Sequence, residues 1–167
     1  MKRIILGFAA VVLFAGMFGG CSSQAKYKSI DPAKAAFVKE SITERDYRID
    51  IDWVVPARGR SFAPTSAYSL EVKQDSVLSY LPYFGRAYSV PYGGGEGLNF
   101  EGVTQDYVSA AGKRDATEIS FSVRTREDNY KFRITVYPNG SADILVQPNN
   151  KQSISFQGTL AENPGKK

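Results

Sequence analysis

The chain has no histidine and one cysteine among its 167 residues. Without histidine it lacks the commonest general base and the commonest metal ligand. Ser–His–Asp and Cys–His catalysis are excluded as usually built, and zinc, copper and haem lose their usual donors. Carboxylates, Lys, Tyr and Ser are what remains for chemistry, so no cofactor, no metal and no enzymatic activity are expected. A lone cysteine rules out an internal disulfide. Charge of one sign is also scarce. The net charge of +4 falls to about +2 without Lys2 and Arg3, and the basic residues are interleaved with acids, as on a solvated surface. Nucleic acid is therefore not an expected partner. Only one long apolar run occurs, which excludes a multi-span membrane protein.

That run has a definite place. Lys2 and Arg3 open the chain, apolar residues follow from Ile4 to about Gly20, and Gly19-Gly20 leads into Cys21. This is the order of a secretory signal peptide. The run is about 17 residues, at the short edge of a membrane span. Phe18-Gly19-Gly20-Cys21 resembles a bacterial lipobox, with Phe18 where Leu is usual. The resemblance implies cleavage before Cys21 and a diacylglycerol on its thiol, which accounts for a free cysteine in an oxidising compartment. Several acyl chains hold a protein firmly on a membrane, whereas one chain is marginal. No acidic run follows Cys21, which favours the periplasmic side of the outer membrane over surface export. The reading divides the chain into a signal peptide (1–20), a lipidated tether (21–30), one domain (31–160) and a flexible tail (161–167).

The domain opens with a short helix. Asp31 suits an N-cap and Pro32 the first turn. Ala35, Ala36, Phe37, Val38 and Ile42 form a partial apolar stripe ending near Glu44, fit to pack on a sheet or plug a barrel end. Period-two alternation then takes over. Tyr47, Ile49, Ile51 and Trp53 are expected on a buried face, opposite Arg48, Asp50 and Asp52. Further alternating segments centre on Leu70, on Val77–Leu81, on Leu98–Gly102 and, more weakly, on Tyr107–Ala110. The clearest are Ile119-x-Phe121-x-Val123, Tyr130-x-Phe132-x-Ile134-x-Val136, Ala142-x-Ile144-x-Val146 and Ile154-x-Phe156-x-Gly158. Pro138-Asn139-Gly140 marks a hairpin, because Asn-Gly tolerates positive φ. Roughly eight to ten short strands joined by short turns argue for an antiparallel sandwich or barrel. No helix is long enough for parallel crossovers.

Several motifs carry a family resemblance. Tyr80-Leu81-Pro82-Tyr83-Phe84-Gly85-Arg86-Ala87-Tyr88, Gly97-Leu98-Asn99-Phe100, Asn139-Gly140-Ser141-Ala142 and Ile154-Ser155-Phe156-Gln157-Gly158 occur in order, after Pro56-Ala57-Arg58-Gly59-Arg60. Together they resemble the uncharacterised Bacteroidetes lipoprotein family DUF4251, over about Ala35 to Leu160. Lys151 and Phe156 stand where the pattern has Arg and Tyr. The resemblance implies a mainly β fold: a small antiparallel, lipocalin-like β-barrel with one N-terminal helix. It implies no activity and assigns no residue a role.

The aromatic segment is the leading candidate site. Tyr83, Phe84, Arg86, Tyr88, Tyr92 and Phe100 cluster around Gly85 and the run Gly93-Gly94-Gly95-Glu96-Gly97. Small barrels enclose apolar ligands, and Tyr couples ring surface with a hydroxyl. The same rings equally serve to fill the barrel and its rim. Arg86 is placed to fork onto a carboxylate or phosphate, or to pair with Glu101 or Glu71, or to stack on a Tyr. The glycine run lacks the following helix of a dinucleotide loop. Asp50 and Asp52 are too few for calcium. Glu101 and Asp106 are a conceivable acid–base pair for glycoside hydrolysis. The expectation is a non-enzymatic module for a small apolar or amphipathic ligand. An envelope assembly partner and a carboxylate hydrolase are the alternatives. The protein partner is unspecified.

Overall fold

The computed structural model describes residues 30–86, 88 and 97–162. Cys21, Tyr92 and the run from Gly93 to Glu96 lie outside the described residues. The architecture is a helix followed by a closed eight-strand barrel in which each strand pairs antiparallel with the next and β8 returns to β1. The helix α1 spans Pro32–Glu44, and the strands are β1 (Asp46–Pro56), β2 (Ser69–Lys73), β3 (Ser76–Leu81), β4 (Leu98–Ala111), β5 (Thr117–Arg124), β6 (Asn129–Val136), β7 (Ser141–Pro148) and β8 (Ile154–Leu160). Strand number thus settles at the lower bound of the expectation.

The helix is made as its sequence suggests. The Asp31 carboxylate accepts the Ala33 N–H at 2.9 Å, and Pro32 occupies the first turn, where its missing N–H costs nothing. Arg45 ends the helix in a left-handed conformation, φ 53°, donating its N–H to the Ile42 carbonyl at 3.1 Å. Val38 and Ile42 join the core while Phe37 packs at its margin. The helix closes one end of the barrel, beside the turns after β4 and β6. That helix end also carries the tight turn after β2 and the end of β8. The opposite, loop end carries the connections 57–68, 125–128 and 149–153 and the described residues 82–86, 88 and 97.

Two strands depart from simple alternation. In β1 the register against β8 slips between Ile51 and Trp53. The extra residue, Asp52, advances the pattern by one. Val54 therefore turns inward with no exposed surface, and Trp53, expected on the buried face, points out and is 47% exposed. Opposite this bend sits Gly158, where an added Cβ would collide with the Asp50 carbonyl oxygen; only glycine allows the strands to cross so closely. In β4 the two expected segments are one strand of 14 residues, with a bulge between Gln105 and Val108 and Asp106 at φ 55°. The hairpin after β6 is as tight as expected, with the Gly140 N–H on the Tyr137 carbonyl at 2.8 Å. Positive φ falls on Gly140, at 85°, and not on Asn139.

The interior is packed. Ile49, Leu70, Leu81, Leu98, Ile119 and Ile134 show no exposed surface, and Phe156, Tyr130 and Phe132 at most 2%. Side chains bordering a water-sized void would keep surface open to it. Eight strands leave an interior just wide enough for side chains to fill, and here aromatic rings do much of the filling. Phe100 stacks on Tyr130 at 4.5 Å and meets Phe132 edge-on at 6.2 Å; Phe132 stacks on Phe121 at 4.9 Å, and Phe121 on Tyr107 at 5.8 Å. This column runs along the barrel from the loop end to the helix end. Each burial of a large apolar side chain contributes roughly 1.5–3 kcal/mol. The expected enclosed ligand therefore finds its space taken by the protein's own rings.

Candidate functional site

The aromatic segment divides by location. Phe100 belongs to the core column. Tyr83, half-buried at the loop end, places its hydroxyl 3.0 Å from the carbonyls of both Arg86 and Gln152. Burial raises its pKa, and the hydrogen bond to Gln152 acts the other way. The segment is stitched to the turn between β7 and β8: Gln152 N–H donates to the Arg86 carbonyl at 2.9 Å and Tyr88 N–H to the Asn150 carbonyl at 2.8 Å. Phe84 and Tyr88 remain outside, 50% and 74% exposed. Phe84 meets Phe62 edge-on at 5.0 Å, and Phe62 bridges back to Val54 of β1. Arg86 points to solvent and, among the described residues, pairs with neither Glu101 nor Glu71. Glu71 is taken by Arg48 at 3.4 Å and Lys73 at 3.6 Å.

Two buried polar groups at the loop end were not singled out from the sequence. Lys151 is 7% exposed. Its amine donates to the Gly97 carbonyl at 3.0 Å, lies 3.9 Å from Glu127, and sits over the rings of Tyr83 (5.7 Å) and Tyr130 (5.9 Å). Asp128 is 6% exposed. Its carboxylate accepts the backbone N–H groups of Asn129 (2.7 Å), Asn149 (3.1 Å) and Asn150 (3.0 Å), so it locks two turns together. Burial, then the nearby charges of Asp128 and Glu127, push the Tyr130 hydroxyl up to about 12.

Beside this knot lies a groove of about 470 Å³, lined by Asn99, Phe100, Glu101, Tyr130 and the Arg124–Glu127 turn. Glu101 and Asp106, the pair considered for hydrolysis, lie five residues apart along β4, roughly 16 Å of extended strand. The groove instead brings Glu101 near Glu127, which is turned to Lys151. Among the described residues no cluster of three potential metal ligands occurs.

On the outer wall, Leu78, Tyr80 and Trp53 are each 47% exposed. Tyr80 lies 5.2 Å from Tyr68, so β3 and the entry to β2 share an apolar strip outside the barrel.

A family model described as a domain of unknown function, DUF4251, matches residues 31–160. The chain belongs to the DUF4251 family. Its fold is similar to that of a DUF4251 family protein from Bacteroides eggerthii, with a TM-score of 0.60 and 18% identity over 78% of this chain and 88% of the other. At that identity the likeness speaks for the fold alone. No curated protein matches the sequence. The one advance sign of the buried amine in this DUF4251 barrel was the family pattern itself, which holds a cation at the place of Lys151.

Proposed function

We propose that the protein is a non-enzymatic interaction module of the cell envelope. In this reading it is anchored by lipid at Cys21 in the outer membrane, faces the periplasm, and engages a protein partner through its outer wall and loop end. The observation that carries the reading is that the interior is filled while large apolar side chains (Trp53, Leu78, Tyr80, Phe84) stand outside. Exposed aromatics grouped on one side of a barrel mark interaction surfaces. The loop end adds three guanidiniums: Arg58, Arg60 and Arg86 stand there, and none of the three makes an ion pair among the described residues. This favours a partner with an acidic surface.

The tether fits this orientation. Nine residues lie between Cys21 and Asp31, at most about 35 Å of chain from one to the other, and they lead to the helix end. The loop end then points away from the membrane.

The test is capture of the native lipoprotein, in mild detergent, from its own cells. A stoichiometric partner is expected with the wild type and with a helix-end variant such as Lys39→Ala. It is expected to be lost with Trp53→Ser/Tyr80→Ser. Recovery of no partner, or of one indifferent to the aromatic substitutions, overturns the reading.

A further inference from the structure

The groove beside β4 has a property independent of the outer aromatic strip. β4 pairs with β3 from Leu98 onward, but its pairing with β5 begins only at Thr104. Among the described residues, positions 99–103 therefore hydrogen-bond to β3 alone, and their other edge faces the groove. An unpaired strand edge offers N–H and C=O groups at the spacing of an extended peptide. Five residues of edge span about 16 Å. The groove volume of about 470 Å³ lies within the range of small-ligand sites.

The walls add selectivity. Arg124 and Arg126 stand on the rim, and neither forms an ion pair among the described residues. Glu127 is directed to Lys151 at 3.9 Å, so Glu101 alone opposes the two guanidiniums. The turn presenting them is stiff: the Thr125 hydroxyl oxygen accepts the N–H groups of Glu127 and Asp128, both at 3.2 Å, and Asp128 ties the turn to Asn149 and Asn150. The partly buried Phe100 ring, backed by Tyr130 at 4.5 Å, supplies an apolar floor. Two guanidiniums without an ion pair among the described residues, carried by a stiff turn beside an open strand edge and an aromatic surface, suit the free carboxylate of an extended peptide.

We propose that this groove binds a short extended peptide by its free C-terminal carboxylate. The peptide adds as a strand to β4 at 99–103, its carboxylate held by Arg124 and Arg126 and an apolar side chain laid on Phe100.

The experiment is calorimetric titration of the full chain with the tripeptide Ala-Ala-Phe and with its C-terminal amide, paired with hydrogen exchange. The acid is expected to bind at least about ten-fold more tightly than the amide, and to slow exchange of amides within 99–103. Arg124→Gln/Arg126→Gln, both at exposed positions and checked for an unchanged circular dichroism spectrum, is expected to bind the acid no better than the amide. Equal binding of acid and amide, no binding at millimolar peptide, an unaffected double variant, or binding without new protection at 99–103 each overturns the proposal.

Discussion

The two ends of the barrel finish the same aromatic column in different ways. At the helix end the Arg45 guanidinium lies over the Tyr107 ring at 4.3 Å and pairs with Asp75 at 3.1 Å, on side chains 40% and 79% exposed. At the loop end the Lys151 amine, on a side chain 6% exposed, sits over Tyr130. An exposed ion pair is worth 0–1 kcal/mol, so Arg45 trims an end already shut by the burial of Val38 and Ile42. A buried amine survives only with partners, and Lys151 has a carbonyl, a carboxylate and two rings. The helix end is closed by apolar packing. The loop end is held by polar knots, with Phe84 and Tyr88 left outside. The first arrangement buries apolar surface; the second leaves those two rings exposed.

The sharpest attempt to break this contrast is Ile42→Ala. Removing a 4%-exposed side chain that helps seal the helix end is expected to cost about 2–4 kcal/mol in denaturant unfolding. A loss below about 1 kcal/mol would mean that the helix is not a structural lid. Next comes Asp128→Ala. It strands buried backbone N–H groups of two turns, at about 1–3 kcal/mol, and hydrogen exchange should quicken at 125–128 and 149–152 before it quickens near the helix. Uniform acceleration would show that the loop end has no separate knot.

The third test uses pH. Burial raises Tyr47 at the helix end well above the ordinary 10.0, and raises Tyr130 at the loop end to about 12. Above pH 10 the unfolded chain loses these phenolic protons while the folded chain keeps them. The stability they contribute is intact below pH 10 and drains away as pH climbs toward 12. Tyr130→Phe should flatten that decline in a series of thermal melts; an unchanged slope would remove Tyr130 from the account. The smallest expected effect is Phe84→Ala, whose ring is half exposed. Its unfolding free energy should stay within about 0.5 kcal/mol of wild type. A larger loss would show that the rim rings are structural after all.

Much of the barrel was readable in advance. The Asp31 cap, the end of the helix at Glu44, the Asn139-Gly140 hairpin and the strands from Ile119 onward rest on local chemistry, and the structure holds them where that chemistry puts them. Trp53 was misplaced because nothing near it in sequence signals a bulge; the slip exists only relative to β8. The joining of Leu98–Gly102 to Tyr107–Ala110 was hidden for the same reason, since Asp106 is absorbed into a bulge against β5. Nothing local to Lys151 or Asp128 marks either as buried. Their burial depends on Gly97, Glu127 and Asn150 arriving from distant parts of the chain. The aromatic segment was found, but not its division between a core ring, Phe100, and rim rings, Phe84 and Tyr88.

Alternation of apolar and polar side chains has a two-residue period, so the buried face of each regular, unbulged stretch is a local property that the amino-acid order determined by itself. Closure, the solid interior, the exposed tryptophan and the open edge of β4 are relations between strands. They follow from register and from bulges, whose energies are settled by neighbours tens of residues away, and only the assembled barrel could decide them.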